Sequence, residues 1–243
     1  MGSSRAALRV FCLPFAGGGA SNFLPFRRVL TGHAVVPVQY PGHETRMDER
    51  CLRDFSLLVD GILGAMQPYL DQPYALLGYS MGARVALGIE NRARELGMPG
   101  PQGLLLAANR APDGTSPYHG IANLPQAQFI AHVERYGGLP AGVLEEPSLA
   151  EMAIRVLRRD FAVLESMPAL QPATCPIFAY AGRSDPSASP ALMAGWQHYT
   201  QAAFALREFD GEHFFLRTEP EFGRAVCADL TTWSIPATSL NPI

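Results

Sequence analysis

Residues 74–90 read YALLGYSMGARVALGIE, and this stretch decides the fold. A short apolar run leads into Gly78-Tyr79-Ser80-Met81-Gly82, and the residues that follow have helical character. Small residues on both sides of a serine let a strand turn sharply into a helix, because larger ones would keep the two elements apart. Such a turn holds a serine hydroxyl exposed beside a base, so the stretch predicts Ser80 as a nucleophile. The alternative is an ordinary glycine-rich turn with a solvated serine.

Strand-like and helical patterns alternate along the rest of the chain. Apolar runs predict strands at 8–13, 33–39, 74–77, 103–108, 177–181 and 204–209. Helical spacing predicts helices at 23–30, 52–70, 81–97, 125–136 and 148–167. This alternation favours an α/β fold, with a mostly parallel central sheet and helices on both faces. We expect a single domain over residues 1–243.

The long segment between the strands at 103–108 and 177–181 has no strand pattern of its own. A helical insertion of this length between strands often forms a lid over a site. We therefore expect a lid insertion at about 112–172. The alternative is that these helices only extend the core.

Composition excludes several classes of function. The net charge is −3, which does not indicate a nucleic-acid-binding surface. All 19 basic side chains are arginine, and the absence of lysine excludes a Walker phosphate loop, a lysine Schiff base and a Ser-x-x-Lys dyad. The four cysteines are widely spaced, which indicates free thiols in a reducing compartment. The six histidines lack metal-ligand spacing, so we expect no metal site.

The N-terminal residues show no secretory pattern, and no apolar run is long enough to span a membrane. We expect a soluble, cytoplasmic monomer with no membrane partner and no nucleic-acid partner.

The base and the acid that would serve Ser80 are expected after later strands, in the order acid and then histidine. His213 follows the predicted strand at 204–209, which predicts it as the general base. The acid has two candidates, Asp185 after the strand at 177–181 and Asp113 after the strand at 103–108. The usual order of these groups favours Asp185, and Asp113 would then be a turn residue before Gly114.

Two backbone N–H groups are needed to bind the negative charge that develops on the carbonyl oxygen. One is expected from Met81, directly after the nucleophile. The other is expected from the glycine-rich loop after the first strand, where we assign Ala16, with Phe15 as the alternative.

These motifs together resemble the type II thioesterases of polyketide and nonribosomal peptide assembly lines. The resemblance covers nearly the whole chain and rests on LPFAGG (13–18), YPGH (40–43), GYSMG (78–82), GRSDP (182–186) and GEHFFL (211–216). It implies an α/β-hydrolase fold with a helical lid. It also implies a serine thioesterase that removes acyl groups from the phosphopantetheine arm of acyl or peptidyl carrier proteins. It supports Asp185 over Asp113, and it implies no cofactor because the pantetheine belongs to the partner.

The same motifs supply candidates for the substrate pocket, namely Phe15, Gly17, His43 and Phe214. Phe15 departs from the family pattern, which often has His or Tyr at that position. Two other functions stay open: a general carboxylesterase of the same fold, and a non-catalytic carrier-binding protein.

Three arginines of the predicted helix at 148–167, Arg155, Arg158 and Arg159, lie mostly off its apolar stripe. They could bind the acidic surface of a carrier protein. The alternative is a solvated helix face without a partner.

Overall fold

The computed structural model describes residues 7–112, 117–139 and 142–233, so the acid candidate Asp113 lies outside the described residues. The strands are β1 (Arg9–Leu13), β2 (Ala34–Pro37), β3 (Tyr74–Tyr79), β4 (Leu104–Ala107), β5 (Ile177–Gly182) and β6 (Phe204–Phe209). They form one sheet in the order β2-β1-β3-β4-β5-β6, and every neighbouring pair is parallel. The predicted parallel sheet is confirmed. All residues of β3 and β4 are buried, as expected for central strands covered on both faces.

Helices connect the strands. They are α1 (Phe26–Val29), α2 (Phe55–Met66), α3 (Met81–Glu95), α4 (Gln126–Glu134), α5 (Pro147–Glu165), α6 (Pro190–Met193), α7 (Phe215–Thr218) and α8 (Pro220–Thr232). Short 3-10 helices cover Ala20–Phe23, Glu44–Arg46, Gln67–Tyr69, Ile121–Asn123, Val143–Glu145 and Ala194–Tyr199. The sequence analysis did not predict α6, α7 or α8. The buried spacing of Phe222, Val226 and Leu230 was the signal for α8, since residues four apart share one helix face.

Two hydrophobic clusters cover the two faces of the sheet. Successive side chains of a strand point to opposite faces, so neighbouring residues of β3 join different clusters. Leu76 packs in the cluster that contains the buried side chains of α2, α3 and α5. Leu77 packs in the cluster that contains those of α1 and α8. Helices on both faces are therefore confirmed.

Helices α4 and α5 occupy the segment between β4 and β5. Arg158 of α5 joins them, because its guanidinium donates to the carbonyl oxygens of Ala122 at 2.6 Å and Leu124 at 2.8 Å. The same group lies 4.3 Å from the ring centre of Phe129 on α4. Arg158 is therefore held by other residues of this chain, although it remains partly exposed.

None of the helices in the described ranges combines the length and the hydropathy that crossing a membrane requires.

Candidate active site

The turn from β3 into α3 holds Ser80 in a strained conformation, with φ of 52° and ψ of −117°. Positive φ of this kind costs a non-glycine residue on the order of 1–3 kcal/mol. The flanking glycines permit the turn. A Cβ atom at Gly78 would lie 2.2 Å from the carbonyl oxygen of Gly82, and one at Gly82 would lie 2.1 Å from that of Leu13. The strand and the helix therefore approach as closely as the motif predicts.

Three side chains from three different loops meet at this turn. The Ser80 Oγ atom lies 3.0 Å from His213 Nε2, and His213 Nδ1 lies 2.7 Å from Asp185 Oδ2. Asp185 follows β5 and His213 follows β6, so the carboxyl ends of parallel strands deliver them to the same edge of the sheet as Ser80. Asp210, which also follows β6, is exposed and pairs instead with Arg183 at 2.6 Å.

The Asp185 carboxylate is held in its charged form. Its other oxygen, Oδ1, accepts hydrogen bonds from the backbone N–H of Ser187 at 2.8 Å and from the Ser187 hydroxyl at 2.6 Å. Burial works against the charge, but the hydrogen bonds from His213 and Ser187 outweigh it and lower the pKa of Asp185. A charged Asp185 accepts a hydrogen bond from the Nδ1–H group of His213, which leaves Nε2 free to accept the proton of Ser80.

Tyr79 connects the turn that carries Ser80 to the loop that carries His213. Its buried hydroxyl donates to the carbonyl oxygen of His213 at 2.6 Å and accepts from the backbone N–H of Leu216 at 3.3 Å. Burial raises the pKa of Tyr79 well above its ordinary value, so the hydroxyl keeps its proton and remains a donor. The sequence analysis missed this role, because the contact joins residues far apart along the chain.

Asn109 stabilises the turn that carries Ser80. Its amide nitrogen donates to the carbonyl oxygen of Ser80 at 2.9 Å, and its amide oxygen accepts from Tyr118 at 2.8 Å and from Arg84 at 3.2 Å. Trp196 in turn donates to the backbone carbonyl of Asn109 at 2.6 Å. Asn109 is buried, and this network holds the backbone of Ser80 in place. A polar residue directly after the apolar strand β4 was the available signal, and the sequence analysis did not use it.

The two predicted donors for the carbonyl oxygen are the backbone N–H groups of Met81 and Ala16. Met81 is the first residue of α3, where backbone N–H groups have no partner within the helix. Among the described residues, no acceptor is bound to the backbone N–H of Ala16 or of Met81. The N–H of Gly17 is already engaged, since it donates to Asp160 at 2.7 Å. The choice between Ala16 and Phe15 stays a prediction.

A cavity of about 240 Å³ opens beside Ser80 and His213. Phe15 and Phe214 line it, with their ring centres 5.0 Å apart, as the sequence analysis predicts. Helices α4 and α5 close the other side through His132, Leu157 and Phe161, among other side chains. Burial lowers the pKa of His132, so this imidazole is a neutral part of a mainly apolar wall.

The other two pocket candidates lie elsewhere. Gly17 and His43 line a second cavity of about 250 Å³, which Leu157 and Gly138 separate from the first. His43 is buried, and its Nε2 atom lies 2.9 Å from Asp160 Oδ2. The structure therefore does not bring Gly17 and His43 to the cavity that contains Ser80.

All four cysteines are free thiols. Burial raises the pKa of Cys175 to about 12, so this thiol stays protonated and unreactive. In the described parts of the chain, no group of three or more His, Cys, Asp or Glu side chains is placed to hold a metal ion.

Comparisons with known proteins agree with the geometry. The profile of the thioesterase domain family matches residues 8–233. Thioesterase PikA5 from Streptomyces venezuelae is 31% identical over 93% of this chain and 80% of its own length. The RedJ thioesterase from the prodiginine pathway of Streptomyces coelicolor superposes with a TM-score of 0.84 at 31% identity, covering 95% of this chain and 87% of RedJ. The type II thioesterase BorB from the borrelidin biosynthetic cluster gives a TM-score of 0.79 at 29% identity, with 93% and 92% covered.

Proposed function

This chain belongs to the thioesterase domain family and has the α/β-hydrolase fold, and from that premise we propose a specific reaction. It is a serine thioesterase that hydrolyses acyl thioesters on the phosphopantetheine arm of acyl or peptidyl carrier proteins. The observation that carries the proposal is the hydrogen-bonded series Ser80, His213 and Asp185 beside a mainly apolar cavity. Relatives named as thioesterases of prodiginine and borrelidin biosynthesis support the class of substrate.

The reaction begins when Ser80 Oγ attacks the thioester carbonyl carbon and His213 Nε2, 3.0 Å away, accepts the hydroxyl proton. The carbonyl oxygen becomes negative and binds the backbone N–H groups of Met81 and Ala16. Collapse of this intermediate breaks the carbon–sulfur bond. The pantetheine sulfur leaves readily, because a thiol has a pKa of about 8.5 and needs little protonation to depart.

Water completes the cycle. His213 removes a proton from a water molecule, which attacks the acyl–Ser80 ester and releases the carboxylic acid and the serine hydroxyl. Asp185 stabilises the imidazolium in both halves of the reaction, because its lowered pKa keeps it charged at neutral pH. The reaction needs no metal and no soluble cofactor, since the attacking group, the base and the donors all belong to the chain.

The proposal includes a single domain in which α4 and α5 act as a lid. Both helices supply walls of the cavity beside Ser80, so the acyl group lies beneath them and is shielded from bulk water. The enzyme acts as a monomer in the cytoplasm, where its free thiols remain reduced.

The partner contact is proposed at an arginine groove, which we define as the open surface lined by Arg50, Arg53, Arg155 and Arg159. In the residues that the structure describes, none of these four guanidinium groups forms an ion pair. Glu151 is the one acidic residue among those that line the groove. The surface therefore carries positive charge that suits an acidic protein.

Reversing the charge of Arg155 and Arg159 tests the groove. Because neither residue lines the cavity beside Ser80, turnover of free acyl-pantetheine should not change. Turnover of carrier-bound acyl groups should fall several-fold through a higher KM, and the loss should shrink as salt is added. Equal effects on both substrates would reject the docking surface.

One panel of substrates tests the reaction itself. The same acyl group is presented on a carrier protein, on free pantetheine and as a simple alcohol ester, and kcat/KM is compared. The proposal expects the highest value on the carrier and no turnover in Ser80→Ala. A preference for the simple ester would make the protein a carboxylesterase. Failure of a fluorophosphonate to label Ser80 in folded protein would make it a non-catalytic carrier binder.

A further inference from the structure

Asp160 joins the lid to the loop that would bind the carbonyl oxygen. It belongs to α5, and its Oδ2 atom accepts a hydrogen bond from the backbone N–H of Gly17 at 2.7 Å. The same oxygen lies 2.9 Å from His43 Nε2, and His43 Nδ1 lies 3.0 Å from the carbonyl oxygen of Pro41. One carboxylate oxygen thus connects three segments: the loop after β1, the loop after β2 and helix α5.

This contact is buried. The side chains of Asp160 and His43 are 4% and 3% exposed. Burial opposes a charge on His43, but the hydrogen bond and the charge of Asp160 outweigh it and raise the pKa of His43. A buried carboxylate needs hydrogen-bond partners because it is removed from water, and the Gly17 N–H and His43 supply them to Asp160.

The loop after β1, residues 14–18, is held by α5 in two ways. Besides the hydrogen bond from Asp160, Leu157 packs directly on Gly17, and a Cβ atom at Gly17 would lie 2.8 Å from Leu157 Cδ2. Gly17 has φ of +74°, which turns the chain directly after Ala16. The N–H of Ala16 belongs to the peptide between Phe15 and Ala16, which shares the Ala16 Cα atom with the peptide that carries the Gly17 N–H. A shift of the Gly17 N–H would therefore move and turn the N–H of Ala16.

We propose that Asp160 is a positioning residue, which fixes the direction of the Ala16 N–H through its hydrogen bond to Gly17. It does not line the cavity beside Ser80, and it acts through the loop. This inference rests on the proposed function, since it needs Ala16 as a donor to the carbonyl oxygen. It also makes the assembly of the donor pair depend on helix α5.

The test compares an acyl-pantetheine thioester with its dithioester, in which sulfur replaces the carbonyl oxygen. Sulfur is a weak hydrogen-bond acceptor, so the ratio of the two kcat values reports on the donors at the carbonyl. Removing one such donor lowers kcat by about 10²–10³-fold. A displaced donor should cost less, so Asp160→Ala should lower kcat for the thioester by about 10–100-fold with little change in KM. The kcat for the dithioester should fall much less, so the ratio of the thioester kcat to the dithioester kcat should shrink.

Two further variants keep the result interpretable. Asp160→Asn keeps an acceptor oxygen and loses the charge, so its ratio should lie between those of the wild type and Asp160→Ala. If Asp160→Ala does not fold, the result for Asp160→Asn alone tests the role of Asp160. An unchanged ratio in that variant overturns the inference. The matched control is Glu165→Gln on the same helix. Its carboxylate accepts from the backbone N–H of Ala122 at 2.7 Å, away from the loop after β1, so its ratio should not change.

Equal losses on both substrates in Asp160→Ala would show a general structural defect and would also overturn the inference. The proposed function fails separately, since turnover of either substrate by Ser80→Ala would reject it whatever Asp160 does.

Discussion

Replacing Tyr79 by phenylalanine removes one oxygen atom and keeps the ring, so it isolates the contact between strand β3 and the loop that carries His213. Two hydrogen bonds disappear: the 2.6 Å bond to the carbonyl oxygen of His213 and the 3.3 Å bond from the N–H of Leu216. A buried group left without its partner costs about 1–3 kcal/mol. The Leu216 bond is long and only partly buried, so it contributes the smaller share. We expect the free energy of unfolding to fall by about 2–3 kcal/mol.

The same change should slow the reaction. Without the bond to its carbonyl, the backbone of His213 is free to move, and Nε2 spends less time 3.0 Å from Ser80 Oγ. If about 1.4 kcal/mol of the lost energy had fixed this geometry, kcat would fall about tenfold. The measurements are urea unfolding and kcat on an acyl-pantetheine thioester.

Tyr74→Phe is the matched control. Tyr74 lies at the opposite end of the same strand and donates to the carbonyl oxygen of Pro99 at 2.8 Å, away from the site. Its loss should lower stability by about 1–2 kcal/mol and leave kcat unchanged. The reasoning is refuted if Tyr79→Phe has the kcat of the wild type, or if Tyr74→Phe loses as much activity.

Three more outcomes are expected. Leu157→Ala removes part of the wall between the two cavities, so kcat/KM should rise several-fold for longer acyl chains relative to short ones; an unchanged chain-length profile in a folded variant would contradict this. His43 has a raised pKa, so its ion pair stabilises the fold fully below about pH 6.5 and loses that effect as the pH rises through the folded-state pKa. Measured by urea unfolding, the free energy of unfolding of the wild type should exceed that of His43→Gln by more at about pH 6 than at about pH 9. A difference that does not change with pH would exclude the ion pair as the cause. Dialysis against a chelator should leave kcat unchanged, and activity restored only by an added metal would refute the proposed chemistry.

The sheet and the meeting of Ser80, Asp185 and His213 could be predicted from sequence for one physical reason. In a parallel sheet, every strand ends at the same edge, so a polar residue just after a strand is delivered there whatever its distance along the chain. The short apolar runs marked the strands, and motif order then located the three residues.

What the sequence did not reveal depends on contacts between separate segments. Tyr79, Asn109 and Asp160 each act through a hydrogen bond to a backbone group of a distant residue, and no local pattern marks such a bond. Asp160 also lies among buried apolar residues of α5. In the sequence, a single acidic residue there only interrupts the apolar stripe of the helix and does not indicate a role. For the same reason, motif order put His43 in the substrate pocket, whereas its actual partner belongs to helix α5.

Strand β6 lies at the edge of the sheet, and the loop after it supplies the imidazole. During synthesis on the ribosome, Ser80 and Asp185 are therefore made before His213, which hydrogen-bonds to both of them. A nascent chain that ends before β6 lacks His213 and therefore cannot carry out the proposed reaction. Catalytic turnover consequently requires the docking of that final strand, and a refolding experiment followed by activity would measure this step.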